Sequence, residues 1–302
     1  MSEKVGGVKR KNDYQSRRTF SFFLRWLTKY YPGMQKISEV TTYLIREYMV
    51  YMKEEHVNFK TGRPGLSTQT INARVRFLKT MYNLLYREEI IDSNPLEAIK
   101  FLKTEDTPFE PLTEDEMSRL FGVLDLKQFP QFRDFVIMNL LYDSGMRINE
   151  VIGLAVSEID IKTKRIVLPA SKEKTRRLRI IPLSSCTIKL LSELMNENKA
   201  YFENEYVFLN WYGEKMAEDT FRRNLKRYVT KAGITKHFSC HDFRRQFCTE
   251  FLANGGSVFS LQSIVGHSQI STTRKYVRFD EQMMKNQHEL YSRVVKLRRR
   301  RK

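Results

Sequence analysis

Apolar residues recur at helical spacing through the first hundred positions, and turn residues mark the breaks between them. One stretch covers about residues 14–31 and stops at Pro32-Gly33; a second covers roughly residues 38–55. After Gly62-Arg63-Pro64-Gly65, Ser67 or Thr68 is placed to cap a long helix reaching about Glu89, since a side-chain oxygen there accepts from a free first-turn amide. Asn94-Pro95 predicts a short further helix with proline at its first position, where no N–H is needed. Arg74, Arg76 and Lys79 interrupt the third stretch with positive charge, as either a solvated face or a DNA-facing one.

The polar, acidic, proline-bearing segment 104–111 reads as a linker, and Thr113-Glu114-Asp115-Glu116 as a capping box opening the next helix. The expected division is therefore residues 1–106 and 107–302. The second part starts helical to about Tyr142, breaks at Gly145, and resumes with Ile148, Val151, Ile152 and Ala155 at core-facing spacing. The period then shortens to two. Strand-like runs at about 158–161, 165–169 and 177–182, joined by turns at Lys162-Thr163-Lys164 and Glu173-Lys174-Thr175, predict a small antiparallel sheet. From about Lys215 the pattern is helical again, with Phe221, Leu225 and Val229 on one face. Ser239-x-x-Asp242 reads as a variant capping box whose helix turns Phe243, Phe247 and Phe251 to the core, and Gly266 ends a helix over Val258–Val265. The fold class is thus an all-α N-terminal domain followed by an α+β domain.

Charge narrows the function. The 302 residues carry a formal net charge of +18, which implies a polyanionic partner, with nucleic acid foremost. Residues 1–100 hold 18 Lys and Arg against 10 Asp and Glu, and the rest hold 35 against 25, so both parts are basic. With 41% hydrophobic and 12% aromatic residues, the chain can build real cores. Cys186, Cys240 and Cys248 lack C-x-x-C spacing and are odd in number, which argues for a reducing compartment and against a disulfide framework or zinc site. His237 and His241 have the spacing of a metal pair, but a helix start falls between them and no Glu follows His237. There is no apolar run of membrane-spanning length, and the N-terminus is polar. The expected location is cytoplasmic, bacterial and nucleoid-associated.

An ordered set of residues carries the chemistry. Arg147 and Glu150 lie in Ser144-Gly145-Met146-Arg147-Ile148-Asn149-Glu150; His241-Asp242-Phe243-Arg244 follows; then Gly266-His267, and Tyr276 nine residues later. This ensemble resembles the tyrosine recombinases, or phage-integrase family, which cut and rejoin DNA through a phosphotyrosine link. The resemblance implies a helical, SAM-like core-binding domain, a catalytic domain, and a site-specific recombinase or integrase forming a 3′-phosphotyrosine intermediate. It also implies a C-shaped clamp on duplex DNA, a homo- or hetero-tetramer on two DNA sites, and a Holliday-junction intermediate. A partner recombinase or accessory protein belongs to the same picture, as does a C-terminal segment (280–302) that docks on a neighbouring subunit.

On that resemblance Tyr276 is the nucleophile, Arg147 and Arg244 clamp the two non-bridging oxygens, and Glu150 holds Arg147 in place. Guanidinium suits the task because it donates two parallel hydrogen bonds and stays charged. His241 is the candidate proton acceptor from the tyrosine, and His267 the donor to the scissile phosphate. A lysine in the second strand turn protonates the leaving 5′ oxygen; Lys172 and Lys174 compete, and counting back eight from Pro182 selects Lys174. Neither metal nor nucleotide cofactor is implied, and the chain has no Gly-x-x-x-x-Gly-Lys loop. Two features depart from the family: Arg245 stands where histidine often follows the motif arginine, and the chain ends in the polybasic run 296–302. Its length suits a compact recombinase of Xer-like, mobile-element integrase or transposase type. A type IB topoisomerase would share the chemistry, and a silent DNA-binding regulator would share the scaffold.

Overall fold

The computed structural model describes residues 8–57, 62–104, 109–172 and 178–276, with residues 285, 288, 289 and 292; side chains are described from residue 16 onward. The chain divides into two compact units, Met1–Pro108 and Phe109–Lys302.

The first unit is helical: α1 (Val8–Tyr30), α2 (Thr42–Val50) continuing as a single π turn over Tyr51–Glu55, and α3 (Thr68–Arg87). Ser67 caps α3 by accepting from the Thr70 N–H at 3.3 Å. Phe23, Ile45, Tyr48, Ile71, Val75, Leu78 and Tyr82 are fully buried between these helices. The helix expected at Asn94-Pro95 does not form. Asn94 Oδ1 takes the Leu96 N–H at 3.0 Å, and the remaining bonds, Glu97 N–H to Asn94 O and Ile99 N–H to Leu96 O, are turn bonds. The asparagine side chain competes with the helical ladder there, and buried Leu96 and Ile99 anchor the turns instead.

In the second unit, α4 (Glu114–Gly122) begins at a reciprocal capping box between Thr113 and Glu116. It is followed by α5 (Phe129–Ser144) and the short α6 (Ile148–Ile152). Strands β1 (Ile159–Asp160), β2 (Arg165–Leu168) and β3 (Arg179–Pro182) form an antiparallel meander in which Ile166 pairs with Ile159 and Ile181. The first strand is shorter than expected, because Glu158 closes a 3-10 turn and its carboxylate takes the Ala155 N–H. Helix α7 (Ser185–Tyr201) lies in a stretch to which the sequence pattern assigned no element; then come α8 (Glu218–Lys231), α9 (Cys240–Ala253), α10 (Val258–Val265) and α11 (Ile270–Arg274).

Helix α5 is the hub of this unit, packing on α6, α7 and α9. Its buried Asp134 accepts from Arg133, from Asn224 at 2.7 Å and from the Tyr228 hydroxyl at 2.9 Å, so α8 is tied to it by a satisfied polar network. Gly145 ends α5 in the left-handed region, at φ 61°, and a Cβ there would lie 2.4 Å from the Phe247 ring of α9. That contact requires glycine, and it sets the turn that leads from α5 to Arg147 directly against α9, the helix that carries Arg244.

Candidate active site

Arg147 is the N-cap of α6, with extended backbone. Its Nη1 bonds Glu150 Oε1 at 2.8 Å, and its backbone N–H bonds Glu150 Oε2 at 3.0 Å. The carboxylate therefore fixes the guanidinium and the start of the helix together. Glu150 also pairs with Arg179 of β3, a residue that sequence reasoning missed. Burial alone would raise the Glu150 carboxyl; the bonds and charge of Arg179, then those of Arg147, outweigh it and hold it below the ordinary range.

Arg244, only 2% exposed, enters from α9. Its Nη1 donates to the Gly145 carbonyl at 2.8 Å and its Nη2 to the Val265 carbonyl at 2.7 Å. Both acceptors sit at helix C-termini, where unpaired carbonyls and the helix dipole favour a cation. A guanidinium has five N–H groups, more than these two carbonyls use. Burial, followed by the nearby Arg147 charge, brings Arg244 down to about 10. The Val265 carbonyl also accepts from Arg179 Nη1 at 3.2 Å.

His267 follows the left-handed Gly266 that ends α10, and its Nδ1 lies 2.9 Å from the Thr273 hydroxyl. Burial, then the charges of Arg244, Arg147, His241 and Arg179, pushes it down to about 4, so it is neutral at pH 7. His241, the exposed residue of the otherwise buried first turn of α9, is also lowered, by partial desolvation and then by Arg244. Its helix start is held as the capping pattern predicts, with the Ser239 N–H on Asp242 Oδ2 at 3.0 Å.

The Tyr276 ring lies nearly parallel to that of His267, with centroids 6.3 Å apart and planes 12° apart, and packs on a small cluster including Cys248, Leu252, Leu261 and Val265. Phe247 and Phe251 face this cluster, while Phe243 enters the main core. Burial raises the Tyr276 phenol above its usual value, with Cys248 adding, while Arg244 and Arg245 oppose the rise. Arg245 stacks on Phe109 at 4.3 Å and reaches Asp242 at 3.5 Å.

Arg147, Glu150, His241, Arg244, His267 and Tyr276 thus converge within one unit. Lys174 lies outside the described residues. Its competitor Lys172 is engaged elsewhere, with its ammonium 2.7 Å from Glu158 and 2.9 Å from the Gly153 carbonyl. Among the described residues no three His, Cys, Asp or Glu side chains gather as a metal cluster, and no helix is long and apolar enough to cross a membrane.

The first unit has its own basic surface. Arg18, Arg25, Lys29 and Arg74 line an open cleft of about 1170 Å³ together with Phe22, Trp26, Tyr30 and Tyr51. Arg74 stacks on Phe22 at 3.6 Å, whereas Arg76 and Lys79 lie over Phe101 at 5.3 and 5.6 Å. The charges that interrupt α3 are therefore seated on aromatic rings.

Comparison with known proteins gives the family of both units. The model of the phage integrase SAM-like domain matches residues 1–103, and that of the phage integrase family matches residues 110–283. Tyrosine recombinase XerC of Bacillus subtilis is 30% identical over 228 residues, which cover 74% of this chain and 74% of that protein. XerC of Pelotomaculum thermopropionicum is 30% identical over 256 residues, covering 82% of this chain and 80% of that one. Among solved structures, the Tn1549 transposon integrase in complex with a circular intermediate DNA shares the fold, with a TM-score of 0.74 at 22% identity over 94% of this chain and 95% of that one.

Proposed function

The chain belongs to the phage integrase family, and from that premise we propose that it is a site-specific recombinase that cuts and rejoins duplex DNA through a 3′-phosphotyrosine link at Tyr276. The observation that carries the proposal is the convergence of Arg147 and Arg244 on one locus that also holds His241, His267 and Tyr276.

Attack at a phosphodiester adds negative charge to the two non-bridging oxygens. Arg147 and Arg244 meet that charge from different helices, already fixed by Glu150 and by two helix-end carbonyls, so little reorganisation is needed during the reaction. The Tyr276 oxygen forms the new bond to phosphorus, and the bond to the 5′ oxygen breaks. The phenolic proton passes to His241, and the 5′ oxygen leaves as a hydroxyl with a proton from Lys174. When the Thr273 hydroxyl donates to His267 Nδ1, the imidazole proton sits on Nε2 and can donate to the phosphate. The phosphotyrosine retains the bond energy, so a second 5′ hydroxyl can reverse the step on a new strand.

The basic aromatic cleft of residues 18–77 suits DNA binding by the first unit. Assembly as a tetramer on two DNA sites and work in the bacterial cytoplasm belong to the same reading. The Tn1549 integrase acts for a transposon, and service to a mobile element is the task proposed for this chain.

The test is covalent trapping on nicked duplex DNA carrying the element's own end sequence, with chelator present. A protein–DNA band that survives denaturant and is removed by protease is the expected result. Its absence on DNA that the protein demonstrably binds would overturn the proposal.

Proton linkage gives an independent check. Burial lowers His267 most and the surrounding cations add to it; an anionic phosphate between Arg147 and Arg244 offsets that repulsion, so the affinity of His267 for a proton rises on binding. Between its free value of about 4 and its higher bound value, the complex holds more protons than free protein. DNA affinity should therefore rise as pH falls from about 7 to 5, by at most about tenfold per unit for one proton. His267→Gln should flatten that slope; equal slopes in the two proteins would remove His267 from the phosphate site.

A further inference from the structure

We propose that Arg179 is a positioning residue of the cleavage reaction: it fixes Glu150 and the Val265 carbonyl, and through them the phosphate-binding arginines Arg147 and Arg244. The inference rests on the activity proposed above.

Arg179 faces inward from β3 and is only 5% exposed. Its guanidinium forks. Nη2 bonds Glu150 Oε2, and Nη1 reaches the Val265 carbonyl at 3.2 Å and Glu150 Oε1 at 3.4 Å. Each of these two acceptors also serves a clamp arginine. Glu150 Oε1 takes Arg147 Nη1, and the Val265 carbonyl takes Arg244 Nη2. One buried side chain thus sets the rotation of the carboxylate that aims Arg147 and the place of the carbonyl that holds Arg244.

The same guanidinium bounds the approach to His267. A Cβ on Gly266 would fall 2.3 Å from Arg179 Nη1, and Gly266 is itself left-handed at φ 67°. The chain can leave α10 toward His267 only by passing flush against Arg179. Folding alone does not call for this arrangement, because a buried ion pair costs desolvation and an apolar side chain of similar volume often serves stability equally well. Lysine cannot replace the fork, since a single ammonium presents no planar pair of donors to two acceptors.

Arg179→Lys and Arg179→Met separate positioning from a structural role when adduct formation is measured at saturating DNA on two nicked substrates. One carries the ordinary scissile phosphate. The other carries a methylphosphonate, in which a methyl group replaces one non-bridging oxygen and removes its charge. Both variants are expected to bind DNA like the wild type and to form adduct about 10- to 100-fold more slowly on phosphate, the scale of a misplaced catalytic group. On methylphosphonate, which demands less of the clamp, the deficit should shrink to a few-fold. Glu150→Gln combined with Arg179→Lys should lose less than the product of the two single losses, because the two share one contact. Gly266→Ala, which crowds the Arg179 guanidinium at Nη1, supplies the pattern if Arg179→Met does not fold. Equal deficits on both substrates, additive losses with Glu150→Gln, or wild-type rates would each overturn the role. A wild type that forms no adduct on phosphate would instead overturn the recombinase reading.

Discussion

Tyr276→Phe is expected to bind its DNA site with unchanged affinity and to form no covalent adduct at all. The substitution removes one oxygen and leaves the ring, so the parallel contact with His267 and the packing on Cys248, Leu252, Leu261 and Val265 are retained. Fold and binding should therefore survive, and a loss of adduct can be charged to the hydroxyl. An adduct in this variant would remove Tyr276 as the nucleophile.

The setting of the ring also sets the pH behaviour. A free phenol of pKa about 10 is ionised in only about one molecule in a thousand at pH 7, and burial of Tyr276 raises it further. Arg244 and Arg245 pull the other way without prevailing. The nucleophile is thus stored protonated in the free protein, and its activation must come from the bound complex. With lowered pKa values, His241 and His267 are both neutral near pH 7, and a neutral His241 can accept a proton. Adduct formation should accordingly rise with pH in the acid range, below the ordinary imidazole value of about 6.5, and level off by neutrality. A rate that falls as pH rises there would contradict a neutral acceptor.

Local sequence signals were sufficient wherever one short segment decides the outcome. Ser67 and the Thr113–Glu116 pair start their helices as the capping patterns predict, Gly145 and Gly266 end theirs, and strand alternation yields the antiparallel meander. The architecture expected from the pattern, an all-α domain before an α+β domain, is the one found, and the SAM-like domain that the resemblance implied is matched by the family model. Asn94-Pro95 misled because helix-start chemistry and turn chemistry use the same asparagine, and only the surroundings choose between them.

Arg179 escaped for a different reason. Its partners Glu150 and Val265 lie 29 and 86 residues away, beyond any local pattern. One signal was present: Arg179 shares its strand parity with the buried Ile181, and a charge on the inward face requires a partner. The parity exposes the demand but not which carboxylate meets it. Thr273, buried and paired with His267 only six residues away, was hidden for another reason: a threonine inside the run that leads to the nucleophile carries no local sign of burial.

Arg147→Gln and Arg244→Gln should each slow cleavage by about a hundredfold or more, the typical loss for one preorganised donor, yet differ sharply in stability. The Arg147 side chain is 42% exposed, and its partner Glu150 retains Arg179, so the Arg147 variant should melt close to the wild type. Arg244 is enclosed. Its removal deprives the Gly145 carbonyl of its 2.8 Å donor and the Val265 carbonyl of its 2.7 Å donor, and leaves unfilled volume among α5, α9 and α10. A buried polar group left unsatisfied costs about 1–3 kcal/mol, which should lower the melting temperature by several degrees in a unit of this size. Cleavage measured at a temperature where both variants remain folded separates the two effects. Loss of cleavage in both, with loss of stability confined to Arg244→Gln, would mean that one arginine of the clamp faces the substrate while the other also ties two helix ends to α9. Ordinary cleavage by either folded variant would remove that residue from the clamp.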